Sequence, residues 1–213
     1  MRKRHLEMAL SKLPDLEDPD PGLEQYRTPP RLVCDILWQA LENGDINNRT
    51  VLELGCGGAP FALGSMMLGA ARTSGVDKDP RCLSLAGSNL RSCIEKGWID
   101  GSMPLQLILG DVSDPSIDIQ DHDTVFMNPP FGAQKRHADR DFIRTACRKG
   151  SVVYGIHNGG TRDFVMNEYD RMGAGELDVF EGRMDIPHRF HFHTEEMRII
   201  DILIVVARVP PRG

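Results

Sequence analysis

Apolar residues fall into two alternating patterns along this 213-residue chain. Short β-type runs occur at 50–54, 73–76, 105–109, 124–127 and 151–156. Between most of them lie stretches with apolar residues at helical spacing, at 61–68, 80–96, 139–149 and 161–172. Strands alternating with helices predict a parallel sheet covered by helices on both faces. Two longer β-type runs, 176–184 and 198–208, close the chain with no helical pattern between them. They predict an antiparallel hairpin at one edge. The expected fold class is α/β, a doubly wound, seven-stranded, mostly parallel sheet with an antiparallel last strand.

Ahead of the first strand, Leu6, Ala9, Leu10 and Leu13 recur at helical spacing. Residues 14–30 are rich in Asp, Glu and Pro and predict an extended lead-in, and residues 31–43 predict a helix closed by Gly44. Residues 1–30 are therefore expected to form an N-terminal helix and lead-in, and residues 31–213 one domain.

Charge and composition narrow the function. Net charge is −6, which argues against holding nucleic acid by bulk electrostatics and leaves only a local basic patch or a partner for that task. No apolar run approaches the ~20 residues that span a bilayer. The opening Met1-Arg2-Lys3-Arg4-His5 lacks the apolar run of a signal peptide. Five scattered cysteines (Cys34, Cys56, Cys82, Cys93, Cys147) contain no C-x-x-C pair, so neither a disulfide framework nor a zinc site is expected. A reducing cytoplasm is the expected setting.

The candidate chemistry lies where strands end. Strand 124–127 runs into Asn128-Pro129-Pro130-Phe131. Two prolines stop the strand and stiffen the loop, and neither has an N–H. The segment offers acceptors, the Asn128 side-chain oxygen and the Pro129 carbonyl, followed by an aromatic ring. That set matches a planar heterocycle bearing an exocyclic amine, such as an unstacked adenine. Asn128, Pro129, Pro130 and Phe131 are the candidate catalytic residues.

Upstream, strand 50–54 runs into Gly55-Cys56-Gly57-Gly58-Ala59-Pro60. A dinucleotide fingerprint needs a third glycine where Pro60 stands. Glu53, two residues before Gly55, suits a cationic ammonium or sulfonium ligand and would repel a pyrophosphate. Asp77 follows the next strand, 22 residues after Gly55, where a carboxylate commonly accepts from both ribose hydroxyls. Asp111 follows the third strand; it is either an acceptor for a cofactor adenine or an ordinary turn aspartate. All these positions share the carboxyl ends of strands, where Rossmann-like sheets bind ligands.

With these residues the chain resembles a class I S-adenosylmethionine-dependent methyltransferase, and more narrowly the small adenine-N6 methyltransferases of ribosomal RNA in eukaryotes and archaea. The resemblance runs through Glu24-Gln25-Tyr26-Arg27-Thr28, Leu54-Gly55-Cys56-Gly57, Asp111-Val112 and Asn128-Pro129-Pro130-Phe131-Gly132. It continues in Val153-Tyr154-Gly155-Ile156-His157, Thr161-Arg162, Asp185-Ile186-Pro187 and Phe190-His191-Phe192-His193. It implies S-adenosyl-L-methionine as cofactor, held by Gln25, Tyr26, Thr28, Glu53, Gly55, Cys56, Gly57, Gly58, Asp77, Lys78, Asp111, Val112 and Asn128. It also implies ribosomal RNA as substrate and a small zinc-ribbon activator as partner, adding strands beside the edge strand 105–109. Two departures stand out. Thr194-Glu195-Glu196 replaces the lysines that often follow the late Phe-His, and the glycine loop ends in Gly58-Ala59-Pro60.

Smaller signals leave alternatives. Arg140, Arg144 and Arg148, with Lys135 and Arg136 nearby, form either a phosphate-contacting stripe or a solvated face shared with Asp139 and Asp141. Tyr154 and His157 either line the base pocket or pack. His188, His191 and His193 do not have a standard metal spacing, so no metal is expected. Two other readings compete: methylation of guanine N2 or a release-factor glutamine, and a non-catalytic RNA-binding or assembly module.

Overall fold

Helices and strands alternate as the apolar pattern predicts. The computed structural model describes residues 1–20, 22, 24–131, 138–189 and 195–210, with backbone alone at 186–189 and 195–198. Helices α1 (Lys3–Ser11) and α2 (Pro30–Glu42) precede β1 (Thr50–Leu54), α3 (Pro60–Met67), β2 (Arg72–Asp77), α4 (Pro80–Glu95) and β3 (Leu105–Leu109). There follow β4 (His122–Met127), α5 (Asp139–Lys149), β5 (Gly150–Asn158), α6 (Arg162–Arg171), β6 (Glu176–Arg189) and β7 (Glu195–Arg208).

Local chemistry sets the helix ends. Prolines open α2, α3 and α4, at the turn where a missing N–H costs no helical bond. Asp79 caps α4 by accepting from the Arg81 amide at 2.9 Å.

The seven strands lie in the order β3-β2-β1-β4-β5-β7-β6. Neighbours from β3 through β5 are parallel, whereas β7 runs antiparallel between β5 and β6. Both final strands are longer than their apolar runs. β6 continues through Pro187 to Arg189, which an edge strand permits because one side of its backbone needs no partner. Pairing of β5 with β7 ends at Asn158 opposite Ile202, while β6 and β7 stay paired to Arg189 opposite Glu195. The hairpin therefore extends beyond the carboxyl end of β5.

A hydrophobic layer lies on each face of the sheet. One joins α1, α2 and α3 through Leu6, Leu10, Leu37 and Leu63; the other joins α5 and α6 through Ile143, Ala146, Val165 and Tyr169. Strand β4 serves both, sending Phe126 to the first and Val125 and Met127 to the second, as strand alternation requires. Phe126 stacks between Phe61 at 5.1 Å and Tyr154 at 5.2 Å between ring centroids.

This frame fixes where ligands meet the chain. Leu54 pairs with Val76 on one side and Met127 on the other, so Gly55, Asp77 and Asn128 emerge together. Among the described residues, no helix is long and apolar enough to cross a membrane, and no group of three metal-ligating side chains occurs.

Candidate active site

The loop after β1 is shaped by backbone conformations that favour glycine. Gly55 has φ +64° and Gly57 φ +50°. A Cβ on Gly55 would also lie 3.0 Å from the Phe142 ring of α5. Phe142 borders the same cleft, and nothing in its apolar helical spacing distinguished it from an ordinary core residue.

Glu53 lines this cleft but does not point freely at a ligand. It is 3% exposed, and the Ala62 and Phe61 amides donate to its two oxygens at 2.8 and 3.3 Å. The carboxyl group thus satisfies open N–H groups at the start of α3. Burial pushes its pKa up to about 8, with those two amides opposing the rise. The expectation that it faces a ligand cation is corrected to this extent: its oxygens already serve the helix.

Asp77 closes the loop from the next strand. The Gly57 amide donates to its Oδ2 at 2.8 Å and the Asp79 amide to its Oδ1 at 2.9 Å. Burial raises its pKa while those amides oppose the shift. Asp111 accepts from the Ser113 amide and hydroxyl at 2.8 and 2.7 Å, the turn-aspartate pattern, and still borders the cleft with Val112. Cys56, Gly58 and the exposed Lys78 border it too.

The lead-in crosses the cleft as a strap. Gln25 donates to Asp79 Oδ2 at 2.9 Å, and its oxygen accepts the Asp20 amide at 2.8 Å. Arg81 reaches the Asp18 carbonyl at 3.1 Å and pairs with Asp79 at 2.7 Å. Asn89 donates to the Gly58 carbonyl at 3.0 Å. Asp79, Arg81 and Asn89 were not anticipated as site residues. Helical spacing over 80–96 placed the helix, but not the capping residue that also holds the strap.

Beyond the strap stands the acceptor loop. Asn128 Nδ2 donates to the Thr28 hydroxyl at 2.8 Å. Its Oδ1 is buried and has no hydrogen-bond partner among the described residues. Pro129 is buried, and Pro130 borders the cleft. The Phe131 ring lies on Tyr26, 5.3 Å between centroids and tilted by 43°. Phe131 is thus half-buried against the strap and is not among the residues bordering the cleft.

The peripheral expectations divide. Tyr154 and His157 are buried at 2% and 0% exposure, so of their two alternatives, lining the base pocket or packing, their placement matches packing. Tyr154 donates to Asp45 at 2.6 Å, near the amino end of β1 and away from the cleft. His157 meets the Tyr169 hydroxyl at 3.1 Å and Asp139 at 3.4 Å. Arg140 and Arg144 are half-exposed and pair with Glu168 of α6 at 3.3 and 3.5 Å. Arg171 joins the same carboxylate at 2.7 Å, although Glu168 is only 1% exposed. Arg148 is exposed. Lys135, Arg136, His191 and His193 lie outside the described residues, as does the side chain of His188.

Comparison with known proteins separates the two halves of this cleft. The family model for ribosomal protein L11 methyltransferase (PrmA) matches residues 34–102, which hold the glycine loop and Asp77 but end before Asn128. An uncharacterised protein of Methanocaldococcus jannaschii is 34% identical over 100% of this chain and 96% of its own length. The rRNA N(6)-adenosine-methyltransferase METTL5 of Danio rerio is 31% identical over 99% of this chain and 100% of its own. A Pyrococcus horikoshii protein, described as a candidate RNA methyltransferase, has a crystal structure that superposes with a TM-score of 0.85. It is 32% identical, with 99% of each chain covered.

Proposed function

Since the chain belongs to the rRNA N(6)-adenosine-methyltransferase family, we propose that it methylates the exocyclic amine of an adenine in small-subunit ribosomal RNA, with S-adenosylmethionine as donor. The observation that carries this reading is the buried Oδ1 of Asn128 at the cleft wall, which has no hydrogen-bond partner among the described residues. A buried acceptor without a partner costs on the order of 1–3 kcal/mol, so it calls for a donor from outside. An adenine amine supplies one.

The cleft suits the cofactor. The Glu53 and Asp77 carboxyls and the glycine backbone border one side, and the strap with Gln25 and Thr28 covers the other. S-adenosylmethionine, when bound, supplies a methyl group made electrophilic by its sulfonium. The glycine loop, Asp77 and Asp111 would hold its body, and the strap would cover it.

The chain's own contribution is placement. The lone pair of an adenine amine is delocalised into the ring and is a poor nucleophile. Asn128 Oδ1 and the Pro129 carbonyl accept the two amine hydrogens, which favours a pyramidal nitrogen and stabilises the positive charge it acquires. Collinear placement at roughly 3–3.5 Å does the rest. No strong base is needed, because the proton departs to water after transfer. The ring of Phe131, which packs on Tyr26 outside the cleft lining, would stack on the base only where the base reaches past the cleft.

Arg140 and Arg144 would contact RNA phosphates, joined there by Arg171. At one edge of the sheet, β3 pairs with β2 alone among the described residues, and Leu109 is 60% exposed. An uncovered apolar edge invites strand addition, and we assign it to a small zinc-ribbon activator. Five free, buried cysteines are consistent with a cytoplasmic setting.

The test is direct. The protein is incubated with methyl-labelled donor and small-subunit RNA, the RNA is digested and the labelled nucleoside identified. N6-methyladenosine supports the reading; N2-methylguanosine, or label confined to protein glutamine, overturns it.

A further inference from the structure

We propose that Thr28 is a positioning residue for methyl transfer: its hydroxyl fixes the plane of the Asn128 amide so that Oδ1 faces the acceptor amine. The proposal rests on the adenine-amine reading and adds to it a residue that acts through Asn128 rather than on the substrate.

Three observations converge. Asn128 Nδ2 donates to Thr28 Oγ1 at 2.8 Å, although the residues are 100 positions apart. Thr28 is itself buried at 6% exposure, so water does not compete freely for that bond. The opposite atom of the same amide, Oδ1, is buried and unpartnered among the described residues, and both residues border the cleft.

The need for such a brake follows from the asparagine side chain. Its terminal torsion is broad and roughly two-fold, so rotation readily exchanges oxygen for nitrogen. The proline at 129 stiffens the backbone but does nothing to that torsion. With the amide turned over, two N–H groups would meet an incoming amine, donor against donor. Bridging Nδ2 to Thr28 holds the plane, and a donor-bearing acceptor then selects the oxygen. A second contact between strap and acceptor loop, Tyr26 on Phe131 at 5.3 Å, keeps Thr28 in reach. The strap that borders the cofactor therefore also sets the acceptor amide.

The test compares Thr28→Val, Thr28→Ala and Thr28→Ser in the full chain. Single-turnover methyl transfer to small-subunit RNA is measured at saturating donor, with the donor dissociation constant measured by calorimetry on the same preparations. Val and Ala are expected to slow transfer about tenfold, the size of one lost hydrogen bond in the transition state. Ser keeps the hydroxyl and is expected to stay within about threefold of the unmodified rate; because the rate is read at saturating donor, any change in donor affinity that follows from the place of Thr28 in the strap does not enter the comparison. Calorimetry also counts the folded, binding-competent fraction, so a poorly folded Val variant is corrected for, and Ala provides a second reading. Transfer by Val and Ala at the unmodified rate overturns the proposal and leaves the functional reading intact. So does a loss confined to donor affinity, or a Ser variant as slow as Val. Absence of N6-methyladenosine from the unmodified protein overturns the functional reading, and this proposal with it.

Discussion

The Ala62 amide donates to the Glu53 carboxyl at 2.8 Å, a bond that ties the end of β1 to the first turn of α3. Its setting makes a pH prediction. Burial moves the pKa of Glu53 from an ordinary 4.5 up to about 8. Between those values the native state keeps a proton that the unfolded chain has lost. Stability of the cofactor-free protein should therefore fall as pH rises through that window, with this group contributing at most about 1.4 kcal/mol per pH unit. Asp77, also raised by burial, contributes with the same sign. Urea unfolding at pH 5, 6, 7 and 8 checks this: the difference between the unmodified protein and Glu53→Gln should change across the series. A constant difference would show that Glu53 is ionised throughout.

Replacing Asn128 by Ala should strike chemistry and spare donor binding. Losing a preorganised polar group at a reacting centre typically costs about 10²–10³ in rate. Single-turnover transfer is the measurement, with donor affinity by calorimetry as control. An unchanged rate would remove Asn128 from the mechanism.

The strap predicts the reverse pattern. Gln25→Ala removes the bond to Asp79 and the acceptor for the Asp20 amide. Donor affinity should drop by roughly tenfold, the worth of about one hydrogen bond, while the rate at saturating donor holds. A rate loss without an affinity loss would mean that the strap serves acceptor placement alone.

Glu168 bears on RNA binding. Three arginines share this one buried carboxylate, so the cluster carries excess positive charge on an acidic protein. Glu168→Gln should tighten RNA binding and steepen its salt dependence. Arg144→Gln should reduce the slope of log affinity against log salt by about 0.7–0.9, one phosphate contact. Equal slopes in all three proteins would make the cluster a purely structural tie between α5 and α6.

The alternation of β-type and helical runs carried most of the architecture, because burial on both faces of a parallel sheet imposes it. The antiparallel hairpin was legible for the same reason: no helical stretch separates its strands. What the sequence concealed were partners. Spacing shows which residues share a face, yet says nothing of what meets them from a distant segment. Tyr154 finds Asp45 109 positions away, and Arg140 finds Glu168 across an interhelical contact. The strap's tie to Asp79 was hidden likewise, since a capping aspartate looks the same whether or not it also holds another segment. Within the acceptor loop, residue types suggested the acceptors; which end of the Asn128 amide is already engaged depends on Thr28, 100 positions away.

The place of β7 between β5 and β6 bears on how the chain is made. A ribosome delivers β5 and β6 first, and neither neighbours the other in the finished sheet. Until Arg208 has emerged, β5 keeps one flank open, a template for pairing with other nascent chains. A premature stop inside β7 would therefore do more than shorten the protein: it would turn β5 into an open edge and leave β6 with no strand to join.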